Sequence, residues 1–215
     1  CEKINSRKDL LRFKSNSVIQ TQTDTDFPDT EEFYWANKWN NLICSVILTN
    51  NTVFNNMFLI QINRSCPYNC AFCPVPAIYG KQLNFSYKKI INSIESVLCY
   101  TKKIGLVSSS VLSHPDFDNI IEFCLNRGIT LSVSSVRIDR ITPDIINKFK
   151  KLNMKQITYA IEAGTEKLRY RIGKRFSNEL IMQKLKMTVA NGIKNIKLYF
   201  IIGLPYETDE DIEKT

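Results

Sequence analysis

The sequence predicts an α/β fold in which a parallel β-sheet is covered by helices. From Phe58 onward, short apolar segments alternate with amphipathic stretches whose apolar residues recur at helical spacing. The apolar segments are nearly continuous, which is typical of strands buried on both faces. A helix between each pair of strands supplies the crossover that parallel pairing requires. A barrel and an open doubly wound sheet both satisfy this pattern, so periodicity alone leaves the two open.

Five strands are predicted within a domain that covers residues 58–215. Residues 1–57 show no sustained period, so we interpret them as a lead-in segment from an upstream domain. A helix-start signal lies close to Thr215, and we therefore expect a chain that is truncated at both ends. The predicted strands are Phe58–Asn63, Ile104–Ser108, Ile129–Ser135, Gln156–Glu162 and Ile196–Ile202.

The predicted helices have recognisable starts, apolar faces and ends. Ile181, Leu185 and Val189 share one face of the fourth helix, and Gly192 follows its end. A serine or threonine at the start of a helix favours capping of its free backbone N–H groups. The predicted starts are Ser86, Pro115, Thr142, Ser177 and, for a fifth helix, Thr208.

Composition and charge are those of an ordinary water-soluble domain. The chain has 215 residues, a net charge of +8 and seven cysteines. Its apolar runs are shorter than the roughly 18 residues of a membrane span, and no signal peptide opens it, so we expect a cytoplasmic protein in a reducing compartment. Basic residues are spread along the chain rather than gathered in one block, so the charge alone does not lead us to infer a nucleic-acid partner.

Three cysteines lie in one short loop directly after the first predicted strand. Cys66, Cys70 and Cys73 follow the spacing Cys-x3-Cys-x2-Cys. Structural zinc normally takes four protein ligands, and the only histidine, His114, lies far along the chain. An iron–sulfur cube has four corners, so three thiolates leave one iron open to another ligand. The loop therefore favours a cluster with an open iron, and the alternatives are a structural zinc site and three inert core cysteines.

Other potential ligands receive simpler interpretations. Cys99 and Cys124 fall on predicted helix faces, so we expect them to be core residues. His114 precedes Pro115, and we expect it to cap the second helix.

The loop Cys66-Pro-Tyr-Asn-Cys70-Ala-Phe-Cys73 resembles the cluster loop of the radical S-adenosylmethionine (radical SAM) superfamily. In that superfamily, the free iron of a [4Fe–4S] cluster chelates SAM, and one electron cleaves SAM to methionine and a 5′-deoxyadenosyl radical. The resemblance implies a partial parallel (β/α)6 barrel with about five β/α units present here. It also implies an external electron donor of the flavodoxin or ferredoxin type.

Four further segments resemble radical SAM proteins that carry an N-terminal cobalamin (B12)-binding domain. That resemblance implies cobalamin use through a domain upstream of this chain. The segments are Ile104-Gly-Leu-Val-Ser, Ser132-Val-Ser-Ser-Val-Arg-Ile-Asp139, Ile161-Glu-Ala-Gly-Thr-Glu-Lys-Leu-Arg169 and Lys197-Leu-Tyr-Phe-Ile-Ile-Gly-Leu-Pro205.

The resemblance also implies which residues contact SAM. Phe72 would lie by the adenine, which the run from Gly203 would border. Serines after the second strand would take the SAM amino group, although they lack the carboxylate of the family's Gly-Gly-Glu stretch. Residues after the third and fourth strands would face the ribose and methionine ends; a structural Arg137–Glu162 ion pair is the alternative. The implied contacts are Phe72, Ser108, Ser109, Ser110, Ser134, Arg137, Glu162, Gly203, Leu204 and Pro205.

Three functional hypotheses follow from these features. The first is a radical SAM enzyme, with cobalamin-dependent methyl transfer as one outcome. The second is a methylthiotransferase, which would call for three more cysteines upstream for a further cluster. The third is a non-catalytic iron–sulfur or zinc-binding module. The substrate is not specified by any of these residues.

Overall fold

The computed structural model describes residues 41–215, and these form a parallel sheet with helices packed against it. The strands are β1 Phe58–Gln61, β2 Asn63–Arg64, β3 Leu83–Asn84, β4 Lys103–Val107, β5 Thr130–Val133, β6 Gln156–Glu162 and β7 Asn195–Phe200. The helices are α1 Val75–Tyr79, α2 Tyr87–Glu95, α3 Phe117–Asn126, α4 Pro143–Lys151, α5 Glu166–Arg171, α6 Asn178–Ala190 and α7 Asp209–Lys214.

The long strands are parallel and lie side by side in the order in which the chain makes them. β1 pairs with β4, and β4 pairs with β5. A parallel bridge between Val136 and Tyr159 then joins the end of β5 to β6, which pairs with β7. A doubly wound sheet reverses its strand order at a switch point, whereas this order does not reverse. The fold is therefore the predicted partial α/β barrel.

The core lies between the sheet and its covering helices. Ile60 and Ile104 on neighbouring strands are fully buried, as are Ile120 of α3 and Phe149 of α4. The rings of Phe117 and Phe149 meet edge to face, with centroids 6.2 Å apart. This packing fixes the strands whose carboxyl ends carry the polar residues described below.

The chain before β1 extends the sheet at its first edge. Cys44 forms an antiparallel bridge with Ile60, and the Ser45 N–H donates to the Leu59 carbonyl at 2.8 Å. Residues 1–40 of the predicted lead-in segment lie outside the described residues. Within residues 41–215, no helix is long and apolar enough to cross a membrane.

All five predicted helices are present among the seven of residues 41–215, but not every predicted detail is correct. Thr142, Ser177 and Thr208 cap their helices as predicted, each accepting a backbone N–H. The Ser86 side chain makes no capping hydrogen bond, so that detail was wrong.

Two other predicted details were also wrong. The helix expected from Pro115 begins at Phe117, and Val189 is exposed rather than turned to the core. The short elements α1, α5, β2 and β3 were not predicted.

Candidate active site

A pocket opens at the carboxyl ends of the parallel strands, where loops from four parts of the chain converge. Its walls carry cysteines from the loop after β2, serines after β4, an arginine after β5 and a glutamate at the end of β6. Apolar side chains complete the wall between these polar groups. The lining residues are Cys66, Tyr68, Cys70, Phe72, Cys73, Ser109, Ser110, Val111, Leu112, Ser135, Val136, Arg137, Arg140, Ala160, Glu162 and Lys174.

The cysteine loop brings three half-buried thiols to this pocket. A backbone hydrogen bond from the Cys73 N–H to the Cys70 carbonyl, 3.0 Å long, curls the loop. Burial raises the pKa of the Cys66 thiol, and charge on Cys70 and Cys73 raises it further. A hydrogen bond to the Tyr68 backbone and the positive charge of Arg137 act in the opposite direction. The thiols therefore resist losing their protons together. Three thiolates could form here only beside a cationic centre that balances their charge.

The chemistry of the donors fits an iron–sulfur cube better than a single ion. Within residues 41–215, no group of three His, Cys, Asp or Glu side chains is already arranged to hold one metal ion. Three thiols are one fewer than the four protein ligands of structural zinc, and they match three corners of a cube. Cys66, Cys70 and Cys73, which all line the pocket, would hold such a cluster.

Arg137 lies beside the cysteine loop and is held from two directions. Its Nε and Nη2 donate to the two carboxylate oxygens of Asp139, each at 3.0 Å. Its guanidinium stacks 4.1 Å from the centre of the Tyr68 ring. The remaining nitrogen, Nη1, is buried and has no hydrogen-bond partner. A buried donor without a partner is costly, so this nitrogen is suited to an anionic ligand group.

Glu162 forms a buried ion pair with Lys174, whose Nζ lies 3.2 Å from Glu162 Oε1. Both side chains are largely buried, and the same Nζ donates to the Ala160 carbonyl at 3.1 Å. Glu162 has a φ of 75°, in the left-handed region, next to an irregularity in the β6–β7 pairing. Such backbone strain in a non-glycine residue is concentrated at functional sites.

The alternative of a structural Arg137–Glu162 pair was wrong, because each residue has a different partner. Sequence reasoning also missed Lys174. The available signal was a lysine directly after Gly173, but it stands next to Arg175 in a basic stretch, and its partner is 12 residues away in sequence.

The serines after β4 are ordered by a buried asparagine that sequence reasoning missed. Ser108 Oγ donates to Asn63 Oδ1 at 2.5 Å, and Asn63 Nδ2 donates to the Ser110 carbonyl at 3.0 Å. Ser134 Oγ donates to the Ser108 carbonyl at 2.9 Å. Ser109 and Ser110 line the pocket, whereas Ser108 and Ser134 do not. The latter two support the loop from behind.

The run from Gly203 lies outside the cysteine pocket. Gly203 has a φ of 89°, and Leu204 packs in a small apolar cluster that Phe72 contacts. Pro205 borders a neighbouring cavity of about 380 Å³ that Phe72 and Tyr206 also line. Phe72 therefore separates the cysteine pocket from this second cavity.

The other residues considered as potential ligands, His114, Cys99 and Cys124, do not line the pocket. His114 is buried, and its Nδ1 accepts the Asp116 N–H at 3.0 Å. The N-cap of α3 is Asp116, so the prediction that His114 caps this helix was wrong. Cys124 is fully buried, in agreement with the prediction. Cys99 is exposed beyond the end of α2, so its prediction as a core residue was wrong.

These features define an α/β protein of the partial-barrel class with a thiol-lined pocket at the carboxyl ends of its strands. A family model describing the Radical SAM superfamily matches residues 60–215, and the chain belongs to that superfamily. The resemblance drawn from the cysteine loop is thereby confirmed.

Individual relatives are similar over the same part of the chain. An uncharacterised protein of Methanocaldococcus jannaschii is 34% identical over 166 residues, which are 75% of this chain and 36% of that protein. The ribosomal protein uS12 methylthiotransferase RimO of Thermotoga sp. (strain RQ2) is 25% identical over 170 residues, 72% of this chain and 39% of RimO.

Among solved structures, the radical SAM methyltransferase TsrM from Kitasatospora setae, with cobalamin and a [4Fe–4S] cluster bound, has the same fold. Its TM-score is 0.60 at 16% identity, over 72% of this chain and 32% of that one. The chain thus spans less than two fifths of the length of each of these relatives.

Proposed function

We propose that this chain is the cluster- and SAM-binding part of a radical SAM enzyme. Cys66, Cys70 and Cys73 would hold a [4Fe–4S] cluster, which when bound supplies the electron that cleaves SAM to methionine and a 5′-deoxyadenosyl radical. The observation that carries the proposal is the convergence of the three thiols with the charged groups of Arg137 and Glu162 in one pocket.

The charged residues suit a zwitterionic ligand such as the methionine end of SAM. Nη1 of Arg137 is free to donate to a carboxylate, while Asp139 and Tyr68 fix the guanidinium plane. The Glu162 carboxylate can accept from an ammonium group or a ribose hydroxyl. Ser109 and Ser110 add hydroxyl groups to the same wall.

The apolar part of the wall favours radical chemistry because it excludes water from the reacting groups. Val111, Leu112, Val136 and Ala160 line the pocket between its polar residues. A dry site also strengthens the charge–charge interactions of the groups around it. The chain's contribution is thus to bind, orient and shield the ligand.

We further propose an external flavodoxin- or ferredoxin-type electron donor, a cytoplasmic location, and cobalamin-dependent methyl transfer by the whole protein. The cobalamin-bound TsrM structure, which shares this fold, favours the last of these. The cobalamin would be held by a domain outside residues 58–215. The four segments that resemble the cobalamin group support the same proposal.

Methylthiotransfer is the second candidate, and the similarity to RimO favours it. A methylthiotransferase of this kind would hold a second cluster elsewhere in the whole protein. Iron and cobalamin content of the full-length protein separates the candidates. One cluster with cobalamin supports methyl transfer, and two clusters without cobalamin support methylthiotransfer.

The test of the basic proposal is anaerobic reconstitution of the chain with iron and sulfide. We expect about four irons per chain and an electron paramagnetic resonance signal of the reduced cluster that changes when SAM is added. Stoichiometric zinc with no retained iron would contradict the proposal. A cluster whose electron paramagnetic resonance signal does not change when SAM is added would instead support a non-catalytic module.

A further inference from the structure

Lys174 is a buried cation that belongs to the pocket although it lies well outside the cysteine loop. Its side chain is 6% exposed, and its Nζ contacts both Glu162 Oε1 and the Ala160 carbonyl. An ammonium group this deep in a protein requires such partners, since desolvation strongly disfavours an isolated charge. The pair therefore holds the Glu162 carboxylate in one place on the pocket wall.

The turn that carries Lys174 is also attached to the cysteine loop. The Ala71 N–H donates to the Ile172 carbonyl at 3.0 Å. Gly173 has a φ of 84°, and a Cβ there would lie 3.1 Å from the Asn69 carbonyl oxygen. We name residues 172–174 the Lys174 turn. Its backbone contacts the cysteine loop, and the Lys174 side chain contacts Glu162.

Arg169 anchors the Lys174 turn from its other side. The Arg169 carbonyl accepts the Lys174 N–H at 2.8 Å, and its fully buried guanidinium donates to the Ala163 and Phe176 carbonyls. Both ends of the turn are therefore fixed. The backbone that carries Lys174 is thus held against both the cysteine loop and α5, and its Nζ is held by Glu162 and the Ala160 carbonyl.

We propose that Lys174 is a positioning residue that acts through Glu162. It orients the carboxylate toward the ligand and links that orientation to the cysteine loop. The inference rests on the proposed function, because the ligand used to test it is SAM. Lys174 does not contact SAM in this proposal, and its effect on SAM binding requires the Glu162 carboxylate.

A double-mutant cycle tests this proposal on the reconstituted chain. The variants are Lys174→Met, Glu162→Gln, their combination, and Lys174→Arg as a conservative rescue. SAM affinity is measured by equilibrium dialysis without turnover, together with the resonance signal of the reduced cluster with SAM, iron content and melting temperature. Lys184→Met is the matched control, because Lys184 Nζ also donates to a backbone carbonyl, that of Ile141 at 2.8 Å, away from the pocket.

We expect Lys174→Met to weaken SAM binding on the order of tenfold or more, because it leaves the Glu162 carboxylate unpaired and unoriented. Lys174→Arg should recover most of that affinity, and Lys184→Met should not change it. In the Glu162→Gln background, Lys174→Met should cause no further loss, since its effect passes through the missing carboxylate. The combined variant has no uncompensated charge, so it remains informative if Lys174→Met alone does not fold.

Three results would overturn the inference while leaving the proposed function intact. Losses that add in the double variant would mean that Lys174 contacts SAM itself. Unchanged affinity in folded Lys174→Met, or an equal loss in Lys184→Met, would mean that the pair does not position the ligand. Failure of the parent chain to bind SAM at all would instead refute the proposed function.

Discussion

The two halves of the sheet secure their helices in different ways. In the N-terminal half, residues 58–133, the N-cap positions of α1, α2 and α3 are Pro74, Ser86 and Asp116, and none of them makes a side-chain cap hydrogen bond. α2 and α3 instead bury apolar faces against the sheet. Packing therefore holds these helices, as it does in most globular proteins.

In the C-terminal half, residues 156–215, every helix has a side-chain cap. Thr165, Ser177 and Thr208 accept backbone N–H groups at the starts of α5, α6 and α7, and Thr208 completes a capping box with Asp211. The 13-residue α6 has only two buried residues, and no residue of β7 is fully buried. Side-chain hydrogen bonds thus fix the start of every helix in this half.

The pocket lies across both halves, which explains how a ligand would stabilise the fold. The cysteine loop and the serines come from the N-terminal half, whereas Glu162 and Lys174 come from the C-terminal half. Arg137 lies in the connection between them. A cofactor bound to both sides would link the well-packed half to the less buried one, and binding to the folded state alone adds to stability.

The largest expected effect is loss of the cluster. Alanine at Cys66, Cys70 or Cys73 removes one of three thiolates, so the reconstituted variant should retain almost no iron or sulfide. Cys99→Ala, at an exposed thiol outside the pocket, should retain the parent's iron content. Full iron retention in any of the three variants would contradict the assignment of that ligand.

Two phenylalanines on strands compare the halves directly. Phe58 on β1 is 3% exposed, and Phe200 on β7 is 38% exposed. Phe58→Ala should lower the free energy of unfolding by about 3–5 kcal/mol, through lost burial and a cavity. Phe200→Ala should cost about 1 kcal/mol. Denaturant titration of both variants measures this, and equal losses would remove the distinction between the halves.

The strands and the cysteine loop could be predicted because their signals are local. The near-continuous apolar run of β6 gave both of its bounds correctly, and the three cysteines of the loop lie within eight residues of each other. Asn63 and Lys174 could not be found in this way, since their partners lie 47 and 12 residues away in sequence. Cys99 was misplaced because α2 ends at Glu95, after which helical periodicity no longer applies.

The connection between the halves is tested at Arg137. Arg137→Met removes the buried Nη1 donor, so it should weaken SAM binding on the order of tenfold while the cluster is kept. Arg127→Met is the control, because Arg127 forms an exposed ion pair with Glu95. Equilibrium dialysis with SAM provides the measurement. Equal affinity in both folded variants would show that Arg137 only braces the loop.

The single histidine makes the N-terminal half sensitive to acid. Burial lowers the pKa of His114, and this outweighs the opposing effects of the hydrogen bond to Phe85 and the charge of Asp116. The unfolded state therefore binds a proton first, so stability should be complete above about pH 6.5 and fall below it, by at most about 1.4 kcal/mol per pH unit. His114→Gln should flatten this dependence in denaturant titrations between pH 5 and 7, where a single histidine titrates. If the free energy of unfolding of His114→Gln depends on pH as steeply as that of the parent, groups other than His114 cause the dependence.

The smallest effect concerns the caps, and a pair of identical substitutions isolates it. Ser177 Oγ accepts the Leu180 N–H at 3.1 Å at the start of α6, whereas the Ser86 side chain makes no such bond at the start of α2. Ser177→Ala should lower the free energy of unfolding by about 1 kcal/mol, because a backbone donor loses its partner. Ser86→Ala should change it by less than about 0.5 kcal/mol. Hydrogen exchange of the first turn of each helix gives a local readout, with faster exchange expected only in α6. If both helices lose protection equally, capping is not what distinguishes the C-terminal half.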